Sequence, residues 1–250
     1  MLRPDGTVFQ AGAVDATGVN AIFYTHTNTW SAAPSFPVVS AGQLDMADAP
    51  GALLPNGNVL LAAGPGYTHQ GVYYFEWDGT NLNPVPGTPN APNEVNYGDR
   101  MLVLPTGEVY KTGGGENMLY TTAGTYEPSW APTISSLSDT FLRPGELGRK
   151  LTGTQLNGLS QASVYGDDYN GSTNYPLIRI TNNATGHVFY ARTYLHSSMG
   201  VATGAETVNT HFQVACGTEL GASTLVVVAN GIPSNPMNVK VIPGYTQACN

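Results

Sequence analysis

The segment Leu2-Arg-Pro-Asp-Gly-Thr-Val8 returns as Leu53-Leu-Pro-Asn-Gly-Asn-Val59 and again as Val103-Leu-Pro-Thr-Gly-Glu-Val109. Its prolines stand at positions 4, 55 and 105, a spacing of 51 and then 50 residues. A repeat of that length means one supersecondary unit copied and stacked on its neighbours. Within each copy Pro-x-Gly is a tight turn, followed by an apolar β run that closes on glycine: Gly12, Gly64 and the triplet Gly113-Gly114-Gly115. An aromatic pair comes next, Phe23-Tyr24 and then Tyr73-Tyr74, with Leu119-Tyr120 in the third copy; Trp30 comes six residues after Tyr24. The turn reverses one strand into the next, and the terminal glycines let neighbouring backbones approach closely.

A period near 50 with strand-turn-strand content reads as one propeller blade per repeat. Composition agrees on the class. Charged residues make up 10% of the chain, while glycine reaches 30 and proline 18. Helices usually carry their solubility as Glu, Lys and Arg, so a chain this poor in them is expected to be all-β. The net charge of −8 argues against nucleic acid or an anionic membrane as partner, since both need a basic surface. The longest apolar run, Leu225 to Ala229, falls far short of a membrane span. Met1 to Gly6 is already a turn, so an export signal either lies upstream or is not used. Cys216 and Cys249 could form one disulfide that pins the C-terminal tail, or remain two unreactive thiols.

The last 120 residues read as a sandwich. Candidate strands run over Arg149–Leu156, Ala162–Tyr165, Tyr175–Thr181, His187–Leu195, Thr207–Val214, Ser223–Ala229 and Met237–Ile242. Seven short strands with turn residues between them make an immunoglobulin-like count. Leu177, Arg179 and Thr181 alternate with Ile178 and Ile180, and Asn182 to Gly186 supplies a hairpin turn. The expected organisation is a partial kelch-type β-propeller of three repeats over residues 1–131, then an immunoglobulin-like β-sandwich over 132–250.

The blades resemble kelch repeats of the galactose oxidase type. The C-terminal half resembles that superfamily's early-set domain, and is most similar to uncharacterised bacterial kelch-type proteins. The likeness rests on Pro128-Ser-Trp-Ala-Pro-Thr-Ile134 as the linker out of the propeller, on Gly153-Thr-Gln-Leu-Asn-Gly-Leu, on Tyr165-Gly-Asp-Asp and on Asn174-Tyr-Pro-Leu-Ile-Arg-Ile180. It ends with Leu225-Val-Val-Val-Ala-Asn-Gly-Ile-Pro-Ser-Asn-Pro236.

The resemblance implies a copper radical oxidase with two tyrosines and two histidines on the metal, one tyrosine crosslinked to a cysteine. The Tyr-His pair should precede the last Leu-Pro-x-Gly turn. Tyr97 stands there, but the next residue is Gly98, and the sandwich loop from Tyr165 to Asn174 carries no histidine. Neither cysteine lies in a blade. Copper needs soft or imidazole ligands to be held firmly, and these positions offer Gly, Asp and Tyr without a histidine, so no catalytic and no metal residues are assigned. Asp167, Asp168 and Tyr169 of that loop, with Asn174, would hang over the propeller's channel if the family geometry holds. Their oxygens suit calcium or sugar hydroxyls, or simply an Asx turn at a strand end. Arg100 and Arg192 could pair with those acids. His196 lies beside Ser197 and Ser198, without the strained turn and orienting group of a nucleophile. Tyr97, Arg100, Asp167, Asp168, Tyr169, Asn174 and His196 are therefore expected to line a ligand site.

Two functions are compatible with these residues. The first is a secreted, non-catalytic binding or scaffold protein recognising glycan or protein, able to self-associate through open blade edges. The second is a divergent copper radical oxidase whose remaining catalytic residues lie upstream.

Overall fold

In the computed structural model the three Pro-x-Gly copies form the same turn. Gly6, Gly57 and Gly107 donate their amides to the carbonyls of Arg3, Leu54 and Leu104 at 3.0, 2.9 and 2.9 Å. Their φ values are +82°, +86° and +92°, a left-handed conformation that glycine takes without strain. Each turn delivers the next strand in the same register, so the repeat in sequence becomes a repeat in space.

The structure describes residues 1–12, 17–66, 68–165, 171–244 and 249. The chain is all-β; among the described residues, helical turns are confined to three 3₁₀ segments of three residues. Two compact units emerge, residues 1–126 with 160–173, and residues 127–159 with 174–250.

In the first unit, β1 (Thr7–Gln10), β2 (Asn20–Tyr24) and β3 (Thr29–Ala33) form one antiparallel sheet. The small hairpin β4 (Val38–Val39) and β5 (Gly42–Gln43) comes next. A second sheet holds β6 (Pro50–Leu53), β7 (Val59–Ala63), β8 (Tyr73–Trp77) and β9 (Leu82–Val85), and a third holds β10 (Arg100–Val103), β11 (Val109–Gly113) and β12 (Glu116–Tyr120). One core runs through all three, with Phe9, Leu44, Leu61, Trp77, Met101 and Val109 among its buried members. Between the first two sheets the Phe9 ring stacks on Trp77 at 4.3 Å between centroids.

The second unit holds β13 (Thr133–Leu137), β14 (Phe141–Leu142) and β15 (Arg149–Thr154). The strand β16 (Ser163–Tyr165) belongs to the first unit. After it come β17 (Leu177–Asn182), β18 (Val188–Ala191), β19 (Thr193–Tyr194), β20 (Thr207–Phe212), β21 (Gly221–Ala229), β22 (Ile232–Pro233) and β23 (Met237–Val241). One sheet has the order β13-β15-β20-β19 and the other β14-β23-β21-β17-β18, with β22 on β21. Both turn alternate residues onto a shared core: Leu151, Val208 and Phe212 from one, Ile178, Ile180, Leu225 and Val227 from the other. Strand β21 is buried along most of its length because it is central, which explains its unbroken apolar run. A disulfide joins Cys216 to Cys249.

Two sequence expectations change. The sequence places Ala162–Tyr165 among the strands of the last 120 residues, but Ser163–Tyr165 pairs antiparallel with β6, setting Val164 opposite Gly51. The single border at 131/132 accordingly gives way to a division that returns 160–173 to the first unit. The physical reason is that β6 has an open backbone edge, and a three-residue strand carries no information about which edge it will complete. In addition, the assigned linker Pro128–Ile134 runs into a strand at its last two residues: β13 begins at Thr133 and pairs with β15 across a bulge between Ile134 and Ser136.

That pairing depends on Gly153. A Cβ built on it would lie 1.8 Å from the carbonyl oxygen of Thr133, and a backbone atom cannot step aside cheaply. Gly153→Ala should therefore lower the unfolding free energy by about 3 kcal/mol. Urea titration of the purified chain measures it, and a change within experimental error would show that β13 does not approach β15 this closely.

Candidate functional site

Lysine is almost never fully buried without partners, and β11 buries one. Alternation along Val109-Tyr110-Lys111 points Val109 and Lys111 to the same side, toward the second sheet's core. The Lys111 side chain is 4% exposed, and its Nζ lies 2.8 Å from Glu94 Oε2, 3.0 Å from Asp99 Oδ1 and 3.6 Å from Glu116 Oε1. Glu94 and Asp99 are buried as deeply. Tyr74, reaching over from β8, donates its hydroxyl to Asp99 Oδ2 at 2.5 Å.

Fifty residues earlier, the positions of Glu94, Asp99 and Lys111 are held by Leu44, Ala49 and Leu61, all buried. The third repeat has thus exchanged three core positions together for two acids and a base. Room for the acids comes from the glycine triplet. A Cβ on Gly113 would sit 2.4 Å from Asp99 Oδ1, and one on Gly114 would sit 1.6 Å from Glu94 Oε1. Gly113 also admits a neighbouring backbone, as the repeat pattern suggests, since its Cβ would lie 2.9 Å from the Gly98 carbonyl oxygen.

The electrostatics derive from burial. Desolvation opposes the charge on Lys111, but Glu94 and Asp99 outweigh it and raise its pKa, so the amine stays an ammonium. Burial, the hydrogen bond to Asp99 and that carboxylate's charge all raise the Tyr74 hydroxyl, which remains a donor. Burial lifts the Asp99 carboxyl to about 6, against the pull of Tyr74 and Lys111 toward lower values. An ammonium locked between carboxylates is neither nucleophile nor base. The network binds the second sheet to the third.

A second polar network lies at the same junction. Glu76 on β8 accepts from Asn58 Nδ2 at 2.5 Å, from Thr122 Oγ1 at 3.1 Å and from the Tyr120 hydroxyl. Between the two networks a cleft of about 240 Å³ is lined by Leu60, Tyr74, Met101, Lys111, Met118 and Tyr120.

The expected site residues are spread over both units. Tyr97 lies in the 3₁₀ turn Asn96–Gly98 and is 42% exposed. Arg100 opens β10, and its Nη1 donates to the carbonyls of Tyr97 at 2.8 Å and Asp99 at 2.7 Å, so it braces the turn that presents Tyr97. Asp167, Asp168 and Tyr169 lie outside the described residues. In the second unit Asn174 is buried, and its carbonyl accepts from Asn157 Nδ2 at 3.4 Å. His196 pairs Nδ1 with Thr210 Oγ1 at 2.9 Å and meets the Tyr175 ring edge-on at 5.3 Å. Partial burial lowers its pKa. Among the described residues, no group of three or more His, Cys, Asp or Glu is arranged to hold a metal ion.

Sequence reasoning missed Glu94, Asp99, Lys111 and Tyr74 as a unit. The available signal was a lysine at an inward position of an alternating strand, in register with Leu61 of the preceding repeat. No family model and no curated protein matches the chain.

Removing only the cation should be severe. Lys111→Leu leaves two buried carboxylates facing each other and should cost about 3–5 kcal/mol. Restoring the preceding repeat's residues with Glu94→Leu, Asp99→Ala and Lys111→Leu, and removing the hydroxyl that met Asp99 with Tyr74→Phe, should together leave stability within about 1 kcal/mol of the parent. Chemical denaturation of both variants decides it; equal losses in the two would show that the network is not electrostatically balanced.

The network also sets a pH dependence. The folded-state value of Asp99 lies above the ordinary aspartate value of 3.8, so between about pH 4 and 6 the native chain holds a proton that the unfolded chain has released. Its contribution to stability is therefore largest below that window and falls as pH rises through it, by an amount on the order of 2 kcal/mol. Comparing the chain with Asp99→Asn at pH 4 and pH 7 cancels the other carboxylates. The difference between the two proteins should change across the window, and a constant difference would refute the assignment.

Proposed function

We propose that the chain is a secreted, non-catalytic binding or scaffold protein of galactose oxidase-like architecture, whose ligand is a glycan or a protein segment. In this reading the three stacked sheets are kelch-type blades and the second unit is an immunoglobulin-like sandwich. Support for the blades comes from the identical Pro-x-Gly turns at a spacing of 51 and 50 residues. For the sandwich it comes from two sheets that share one core.

The observation that carries the binding reading is Tyr97. Its position is the one where the family resemblance expects a copper tyrosine followed by histidine. Here the next residue is glycine, and Tyr97 stands 42% exposed on a turn braced by Arg100. An exposed aromatic ring on a rigid turn offers a flat apolar face with a hydroxyl at its tip, which suits the C–H face and hydroxyls of a sugar or a peptide side chain. The buried acids nearby are neutralised internally by Lys111, so the chemistry left at the surface is contact, not proton transfer.

Tyr97→Ala should weaken binding about tenfold or more, while changing stability by no more than about 0.5 kcal/mol. An oligosaccharide array and an immobilised peptide library identify the probe, and calorimetry measures the change. Equal binding by the variant, or no binding to any probe by the parent, would defeat the proposal. So would stoichiometric copper in the pure protein together with peroxide release from alcohols or aldehydes.

A further inference from the structure

The third sheet lacks an outer strand that the first two possess. Val8, Val59 and Val109 are equivalent, each being the valine that follows its Pro-x-Gly turn. Their cross-strand partners are Phe23, Trp77 and Tyr120. Phe23 pairs onward with Trp30 of β3, and Trp77 pairs onward with Leu82 of β9. Among the described residues, β12, which carries Tyr120, pairs with β11 alone. The chain beyond Tyr120 does not fill the place. It turns back to the second sheet, where Thr122 Oγ1 donates to Glu76 Oε1 at 3.1 Å and accepts from Asn56 Nδ2 at 2.8 Å.

The vacant side of β12 is built to pair. Only Gly114 and Gly115 join β11 to β12, so the closing pair Gly113–Glu116 exchanges its hydrogen bonds and the next pair does not. The N–H and C=O groups of Asn117 and Leu119 therefore point away from β11, and both residues are exposed. Open edges are normally blunted by proline, lysine or a bulge. Glu116-Asn-Met-Leu-Tyr120 has no proline or lysine, and its register with β11 is unbroken. The cleft of about 240 Å³ opens beside the same edge: Met118, Leu119 and Tyr120 line it from β12, and Val85 and Pro86 from the end of β9.

We infer that an extended segment of another polypeptide adds to β12 as an antiparallel fourth strand, with a bulky apolar side chain in the cleft. Its main-chain bonds to Asn117 and Leu119 supply affinity, and the cleft supplies selection. The outer strands already present define the segment. Opposite the Tyr120 position they place Trp30 or Leu82, then uncharged polar Ser31 or Asn83, then Ala32 or Pro84, then Ala33 or Val85. Proline fits the third place because its nitrogen faces away from the sheet there. The site is separate from Tyr97 and stands whatever ligand Tyr97 meets.

The probe is a fluorescein-labelled peptide copying Thr27-Asn-Thr-Trp-Ser-Ala-Ala-Pro-Ser35. Fluorescence anisotropy with the full chain should give saturable binding, with Kd of about 100 µM or below. The copies of Ser31 and Ala33 come opposite Leu119 and Asn117, so N-methylation at those two residues should weaken binding by about tenfold or more. N-methylation at the copies of Trp30 and Ala32, whose N–H groups face away from β12, should leave Kd within about threefold. On the protein, Leu119→Pro removes an open-side donor without removing a bond of the sheet itself, and should weaken binding by about tenfold or more. Circular dichroism confirms that this variant is folded; if it is not, Asn117→Pro replaces it. No binding by the parent, equal losses from the two N-methylation patterns, or unimpaired binding by the proline variant overturns the inference. Sedimentation velocity at about 100 µM tests a different occupant. A parent chain that self-associates and is not dissociated by the peptide carries a second copy on this edge, which overturns the inference equally.

Discussion

A sheet of three to five short strands has two faces, and each apolar face in the first unit costs free energy when left to water. Everything else in that unit answers this constraint. Phe9 on Trp77 closes one junction, and Leu60 against the third sheet closes the next. The Pro-x-Gly turns matter because they hold the phase. With a side-chain period of two, a slip of one residue would turn Phe9, Leu60 and Tyr110 to the wrong side of their sheets. Identical turns deliver identical phase three times.

The junction between the second and third sheets is built differently from the first. Where the preceding repeat packs Leu44, Ala49 and Leu61, the third places Glu94, Asp99 and Lys111, and admits the acids at Gly113, where the preceding repeat has Ala63, and at Gly114, where it already has Gly64. Desolvating three charges and pairing them again gains little net stability over an apolar core. What it changes is tolerance. An apolar junction accepts small translations, whereas moving Lys111 from its carboxylates strands charges in a low dielectric. The Glu76 cluster with Asn58, Thr122 and Tyr120 reinforces the same junction through directional hydrogen bonds. The stack is therefore adjustable where Phe9 meets Trp77 and fixed where Tyr74 meets Asp99.

Much of this is legible in the sequence, and the rest is not for identifiable reasons. The turns are visible because Pro and Gly act locally, through their own φ values. The strands of the second unit are visible wherever one face is buried, as along Leu177–Asn182, where Ile178 and Ile180 alternate with Arg179. Strand β13 escapes notice because Thr-Ile-Ser-Ser-Leu has almost no apolar contrast, and its place is set by a bulge and by Gly153 in a different strand. The destination of Ser163–Tyr165 is illegible because pairing with β6 is a backbone interaction between segments more than a hundred residues apart. Tyr97 and Arg100 stand out in the sequence only through a family likeness. The structure gives Arg100 a positioning part, through bonds to main-chain carbonyls that no residue type announces.

The charged network and the open faces can be weighed against each other. The third sheet is held firmly on one side by Lys111 and its acids, and on the other side it presents Leu102, Tyr110 and Leu119 to solvent. The charge pairing fixes which face of the third sheet turns inward, because Lys111 shares that face with the buried Val109. The exchange of Leu44, Ala49 and Leu61 for an ion network is thus not a decoration of the last sheet. It ties the third sheet to the second through pairings that cannot be shifted without stranding a buried charge.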